Sequence, residues 1–470
     1  MAVLAIRLSF VFLVIAYIAY AHENGEPYPS NSMNSGITLE QRAVAAFIDY
    51  LKIRTDHPNP QYRQAVLFLL NQARELKLEV EVLELEKNYG KDESGGRTEE
   101  GFPLVLFTAQ GTDPTLPAVL FNSHMDVVPT EPSKWTYDPF GGTKDSEGRI
   151  YGRGSQDMKS VGIQQIYALA TLFAADQPLL PLRTIYVVFV PDEEIGGTNG
   201  WGRFIKTRKW RNMNVGLVVD EGLANPDYRV PVFYGERAPW WTRAKAIGPP
   251  GHGSSVVPNT AIERVIGFTQ RLLTFRDEQV ADMKEKGLEH GDIITINPTV
   301  LKAGVPKNDH EFIMNVIPSQ AEIGFDIRMS PFADFAKFEK QLKQWASEFG
   351  MDLEFVHKVD HIPYTALDET NIWWPAFKAA AAESNITLVE RIFPASTDCR
   401  YARSLGIPAL GFSPMPNTPV LLHDHNEYLE EDTFVKGIGA FAALMKHLSA
   451  VLPPAPLQLA PPEAIQTDTD

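Results

Sequence analysis

The sequence predicts an α/β protein: a doubly wound mixed sheet, interrupted by a smaller ferredoxin-like α+β unit. Three observations carry this expectation. Short β-like runs alternate with helical patterns over residues 79–219, the pattern of a sheet covered by helices. From about Trp240 the order becomes strand, helix, strand, strand, helix, strand, which is the split βαβ arrangement. Beyond residue 372 the first alternation resumes, so the smaller unit reads as an insertion.

Taken in order, the chain opens on Arg7, the sole charge among the first 21 residues, followed by an apolar run from Leu8 to Tyr20 broken only by Ser9. That run is short for a membrane span, which needs roughly 20 residues. With the small-x-small pattern of Ala19-Tyr20-Ala21 it predicts a signal peptide over residues 1–21, with an uncleaved anchor as the alternative. A polar leader follows. Thr38, with Gln41 three residues on, predicts a capped helix over residues 38–51. A second helix is expected over 60–76. Strands are expected over 79–85, 104–108, 118–122, 183–190 and 215–219, with helices over 160–175 and 201–206 between them. The insertion should hold strands 241–247, 292–301, 321–327 and 352–357 and helices 260–275 and 332–349. The larger unit then continues with a helix over 372–382, a strand over 388–391 and a helix over 431–448. Residues 453–470 are rich in Pro and Ala, the composition of a disordered tail.

With 470 residues, 44% of them apolar, the chain can bury two substantial cores. Its net charge of −16 argues against nucleic acid or an anionic membrane surface as partner. After signal cleavage no stable membrane association is expected. Cys399 is the single cysteine, which excludes an intrachain disulfide. Asn385-Ile386-Thr387 is a glycosylation sequon, usable in a secreted chain.

Five short segments carry the chemistry: Ser123-His124-Met125-Asp126, Gly154-Ser155-Gln156-Asp157-Met158-Lys159, Asp192-Glu193-Glu194, Asp220-Glu221-Gly222 and His423-Asp424-His425-Asn426-Glu427. They offer imidazoles and carboxylates without a thiolate, which suits a catalytic zinc pair better than a structural zinc. His124 and Asp126 share a face of an extended chain; His124 is the expected ligand and Asp126 a supporting carboxylate. Asp157 opens a helix after a Gly-rich turn, so it reads as a bridging ligand or as a helix cap. Glu193 and Glu194 follow a very apolar strand. Adjacent strand residues face opposite ways, so both can serve one site only from an irregular loop, one binding metal and the other taking a proton. The bland alternative is a solvated acidic turn. Glu221 repeats the pattern of an acid at a strand's end, where doubly wound sheets gather ligands. One of His423 and His425 should bind metal.

These segments, in this order, resemble the zinc-dependent aminoacylase/carboxypeptidase family of co-catalytic metallopeptidases, and within it the aminoacylase-1 branch. The resemblance covers roughly residues 38–452. It includes Pro191-Asp192-Glu193-Glu194-Ile195-Gly196-Gly197, Pro249-Pro250-Gly251-His252-Gly253-Ser254 and Gly411-Phe412-Ser413-Pro414-Met415. It implies two zinc ions per subunit, one held by His124, Asp157 and Glu221 and the other by Asp157, Glu194 and His423. It makes Glu193 the general base and Asp126 its supporting acid. It makes residues 38–238 and 362–452 the catalytic zinc domain and residues 239–361 a lid and dimerisation domain of a homodimer. His252 would reach the partner subunit's site, and Asn315, Arg328 and Arg400 would hold substrate. The implied reaction is hydrolysis of small N-acyl-L-amino acids to a free amino acid and a carboxylate. Rival expectations are a dizinc dipeptidase or carboxypeptidase, and a non-catalytic binding homologue; the intact set of ligands with Glu193 disfavours the latter. Two features depart from the family: Cys399 stands where Asn is expected, and the leader predicts secretion where that branch is typically cytosolic. For His252 the structural alternative is a loop histidine between two glycines. Trp240-Trp241 reads as packing rather than substrate stacking.

Overall fold

The computed structural model describes residues 36–85, 101–174 and 178–453. The expected signal peptide, nearly all of the polar leader and almost all of the C-terminal tail lie outside the described residues. The larger sheet has eight strands, in the order Glu79–Leu85, Phe102–Ala109, Ile185–Val190, Ala118–His124, Val215–Asp220, Ala409–Phe412, Arg229–Glu236 and Thr387–Phe393. From Ile185–Val190 to Ala409–Phe412 neighbours run parallel, while the first two strands join antiparallel. The sheet is mixed, as the sequence predicts.

Alternate strand residues face opposite ways. Val119, Phe121, Val187, Phe189, Leu217 and Val219 enter a core shared with the helices Leu39–Leu51, Tyr62–Leu76, Lys159–Ala174, Trp374–Glu383 and Glu431–Ser449. Leu120, Val188, Val190 and Val218 turn the other way, onto Trp201, Phe204, Trp210 and Met213. Both faces are covered, and this is why the central strands read as continuous apolar runs. The expected cap of the first helix forms: Thr38 Oγ1 accepts the Gln41 N–H, and Gln41 Oε1 accepts the Thr38 N–H.

Two strands of the large sheet lie where the sequence predicts none. Arg229–Glu236 carries Pro231 and Gly235, both depleted in strands. Ala409–Phe412 is only four residues long. Its Gly411 lies so close to the Glu221 backbone that a Cβ there would come within 2.4 Å of the Glu221 carbonyl oxygen. The helix expected over 260–275 instead spans Ala261–Lys286. Its last turns are charged and largely exposed, so the apolar pattern that marks a helix stops before the helix does.

The insertion has a four-stranded antiparallel sheet, in the order Thr295–Lys302, Gln320–Met329, Ala238–Ile247 and Met351–Lys358. With the helices Ala261–Lys286 and Phe335–Glu348 it encloses a separate core around Trp240, Phe268, Phe325 and Trp345. Only Arg237 separates Arg229–Glu236 of the large sheet from Ala238–Ile247 of the small one. The chain leaves beside where it came in, with the Val359 N–H donating to the Pro239 carbonyl at 3.2 Å.

Candidate metal centre

Three parallel strands lie side by side and end together, with Asn122 opposite Val188 and Phe121 opposite Val219. His124 is the last residue of its strand, Glu193 and Glu194 follow Ile185–Val190 after a short turn, and Glu221 follows Asp220. Two further loops converge on this edge. The turn before Lys159–Ala174 brings Asp157, and the segment before Tyr428–Glu430 brings His423.

His124 is fully buried. Its Nδ1 lies 2.9 Å from the Asp126 backbone carbonyl; a carbonyl oxygen only accepts, so Nδ1 carries the proton. Nε2 faces Asp157 Oδ1 at 2.9 Å and Glu221 Oε2 at 3.5 Å, where its lone pair needs a proton or a metal ion in between. His423 repeats the arrangement, its Nε2 lying 3.3 Å from Asp157 Oδ2 and 3.1 Å from Glu194 Oε2. Asp157 thus turns one oxygen to each imidazole. Two groups form, His124 with Asp157 and Glu221, and Asp157 with Glu194 and His423.

A lone pair held against carboxylate oxygens is repulsive unless positive charge sits between them. The titration of the site reflects this. Burial opposes charge on His124, yet bonds to Asp157 and Glu221 hold it well above the ordinary histidine range. Asp157 and Glu194 raise His423 to about 10. Burial, and then the Asp157 charge, pushes Glu194 and Glu221 up. Burial also pushes Glu193 well up, with the Glu221 and Asp398 charges adding to it. Glu194 Oε1 is buried without a hydrogen-bond partner. Buried anions that are neither paired nor protonated are costly, and a divalent cation in each group removes that cost. The donors are imidazole nitrogen and carboxylate oxygen throughout, a set that fits zinc.

The scaffold behind these ligands is specific. Glu427 is buried, and its carboxylate accepts the N–H groups of Gly154, Gln156 and Asp157 while pairing with Arg153. The Gln156 amide donates to the carbonyls of Pro419 and Tyr428 and accepts the Leu421 N–H. One side chain therefore pins both flanks of the His423 loop to the Asp157 turn. His423 itself sits at φ 62, a left-handed conformation uncommon outside glycine.

Asp126 contacts two parts of the site. Its backbone carbonyl, rather than its carboxylate, orients the His124 ring. The carboxylate instead accepts the backbone N–H groups of Glu193 at 3.1 Å and Glu194 at 3.0 Å, and His57 Nε2 lies 2.9 Å from Oδ2. The irregular loop expected around the two glutamates is a turn that begins with Asp192 at φ 77. His57, which contacts Asp126, and Glu427, which holds the Asp157 turn, are residues that sequence reasoning missed or left without a role.

The expected substrate residues divide into two groups. Arg400 lies beside the centre, donating to the carbonyls of Thr397 and Gly196. His252, Asn315 and Arg328 sit on the insertion and, among the described residues, make no hydrogen bond or ion pair to the five ligands. His252 is exposed and its Nδ1 accepts the Ser254 N–H, which leaves Nε2 as the donor. Gly253 donates to the Asn315 carbonyl at 2.8 Å, so His252 and Asn315 belong to one corner. The Arg328 guanidinium already grips Asp326 through Nε and Nη2. Of the tryptophan pair, Trp240 is buried as expected, but Trp241 is 47% exposed and lies against His357 with the two rings tilted by 43°.

Residues 120–447 match peptidase family M20/M25/M40. An aminoacylase-1 of Dictyostelium discoideum is 44% identical over 415 residues, spanning 87% of this chain and 98% of that protein. An aminoacylase-1 of Homo sapiens is 41% identical over 421 residues, spanning 89% and 98%. Among solved structures, the M20 family metallo-carboxypeptidase Sso-CP2 from Sulfolobus solfataricus has a TM-score of 0.64 at 18% identity, over 87% of this chain and 99% of that one. At that identity the likeness concerns the fold.

Proposed function

The chain belongs to peptidase family M20/M25/M40, in its aminoacylase-1 branch, and from that premise we propose how its metal centre works. The protein is a metal-dependent hydrolase that cleaves the amide bond of N-acyl amino acids. The observation that carries the reading is the pair of ligand groups sharing Asp157, with a buried Glu193 beside them, in a chain so similar to aminoacylases.

Two zinc ions per subunit are the metal that the donor set favours, one on His124, Asp157 and Glu221 and one on Asp157, Glu194 and His423. Bound there, zinc would polarise the scissile carbonyl and acidify the attacking water. Glu193 takes that water's proton and delivers it to the leaving amine. Its raised proton affinity suits a group that must hold a proton between the two transfers. Asp126 keeps the turn carrying Glu193 in place through two N–H bonds. His252 meets the negative oxygen of the tetrahedral intermediate with its free Nε2–H. Arg328, Arg400 and Asn315 hold the substrate, the guanidinium groups being suited to its carboxylate.

That His252 makes no hydrogen bond or ion pair to the ligands among the described residues of its own chain supports a homodimer in which each insertion completes its partner's site. So do the apolar side chains that the insertion exposes, Val256, Leu301, Phe312 and Met314 among them. The L-configuration of the substrate rests on the branch. Secretion rests on the leader. The sequon is open to a glycan: Asn385 and Thr387 are exposed in the turn between Trp374–Glu383 and Thr387–Phe393.

The test is a substrate panel on purified, zinc-loaded protein. N-acetyl-methionine should be hydrolysed faster than simple dipeptides. Preference for dipeptides would move the chain to the dipeptidase reading, and no turnover of either would favour a binding homologue.

A further inference from the structure

We propose that His57 is a positioning residue for the metal centre: through Asp126 it locks the turn that carries Glu193 and Glu194. The inference deepens the reading of Glu194 as a ligand and Glu193 as the base, and rests on it.

The geometry is a chain of single contacts. Residues 55–57 lie alongside Val127, with the Val127 N–H donating to the Thr55 carbonyl at 3.1 Å and the His57 N–H to the Val127 carbonyl at 3.3 Å. This short ladder sets the His57 ring against Asp126, with 11% of the side chain exposed. Asp126 is fully buried and its carboxylate takes three contacts, Glu193 N–H on Oδ1 and both Glu194 N–H and His57 Nε2 on Oδ2. A carboxylate that accepts two backbone N–H groups is acting as the ionised acceptor, so His57 Nε2 carries the hydrogen and donates it.

The consequence lies in what Asp126 holds. Its backbone carbonyl orients His124, a ligand in one group, and its carboxylate orients Glu194, a ligand in the other. Rotation of the carboxylate about its own bond would break the Glu193 and Glu194 contacts together. The two glutamate N–H groups come from one side, the turn itself. His57 is the side-chain donor that comes from a different part of the chain, 69 residues away. The Met125 N–H on the Val190 carbonyl and the Asp192 N–H on the Tyr62 hydroxyl tie the backbone on either side, so His57 is what fixes the carboxylate itself from outside the turn. Outer partners of metal ligands tune affinity by about 10–100-fold, which sets the size of effect to expect.

The experiment compares His57→Leu, His57→Gln, Asp126→Asn and the double variant His57→Leu/Asp126→Asn. Metal-stripped protein is titrated with Zn2+ against a chromogenic chelator, and kcat and KM are measured on reloaded protein. In His57→Leu, Zn2+ affinity of one of the two sites should fall about tenfold, with kcat reduced, KM within about twofold and thermal unfolding cooperative. His57→Gln, which keeps an N–H donor, should recover most of the affinity. Because His57 acts through Asp126, the double variant should be no worse than Asp126→Asn alone. The proposal is overturned if His57→Leu binds both Zn2+ ions as the wild type does, if His57→Gln is as impaired as His57→Leu, or if the two single effects add. The Zn2+ titration needs no substrate, so it decides the role of His57 even if no N-acyl amino acid is turned over. Failure of the substrate panel alone would instead count against the activity.

Discussion

The carboxylate of Glu427 lies 2.5 Å from the guanidinium of Arg153, both buried, and the contact joins residues 274 positions apart. The pair braces the turn that carries Asp157, the residue common to both ligand groups, so the segment before Tyr428–Glu430 supports the turn before Lys159–Ala174.

Breaking this pair from one side should be expensive. Arg153→Met leaves a buried carboxylate uncompensated, and such changes cost about 3–5 kcal/mol. Urea unfolding of the metal-stripped protein measures it, keeping metal linkage out of the comparison. A loss below about 1 kcal/mol, the scale of an exposed pair, would mean that the three N–H donors suffice to hold Glu427.

Adjacent glutamates should fail in different ways. Glu193→Gln should keep its metal and lose turnover by at least about 10²-fold, the scale of general base catalysis. Glu194→Gln should lose metal, because Glu194 Oε2 faces His423 in one of the ligand groups. Metal content per subunit alongside kcat separates the two. If Glu193→Gln retains more than about a tenth of the activity, it is not the base.

The shared-site reading makes a quantitative statement. His252→Ala should be nearly inactive with full metal content, and Arg328→Ala likewise. Mixing His252→Ala with Glu193→Gln and allowing subunits to exchange gives hybrids in which one of two sites has both residues intact. Half of the dimers are hybrids at random exchange, so activity should rise to about a quarter of the wild type. No recovery after proven exchange would place His252 in cis or outside the reaction.

Secretion is tested by N-terminal sequencing of protein from culture medium, with and without glycosidase. Cleavage before His22 and a mass loss at Asn385 are expected. An intact Met1 on unglycosylated, intracellular protein would end the secretion reading and leave the catalytic one standing.

The parts of the site that local pattern encodes were legible. Each of His124, Glu193, Glu194 and Glu221 stands at the end of an apolar strand, where an acid or imidazole is out of place unless it works. The Thr38 cap and both ferredoxin-like helices follow from side-chain periodicity in the same way. What local pattern does not encode was hidden. His57 meets Asp126 across 69 residues, and nothing near it marks it as a partner. Glu427 was visible in its segment, but its acceptance of three N–H groups depends on a loop 270 or more residues earlier. Arg229–Glu236 was lost because Pro231 and Gly235 speak against a strand that neighbours on both sides nevertheless impose. The Asp326–Arg328 pair was within reach, since residues two apart share a strand face.

The insertion begins and ends at one place, with Pro239 and Val359 joined by a single hydrogen bond. It is in this sense a cassette. Its removal would leave two ends already side by side, and all eight strands of the large sheet would remain. A chain in which a short turn replaces residues 240–358 should therefore fold and take up zinc while failing to turn over substrate, separating the machinery that holds metal from the machinery that uses it. Such a chain would also serve as an acceptor for the insertions of relatives, and whether selectivity travelled with the transplanted piece could be read directly from its substrate panel.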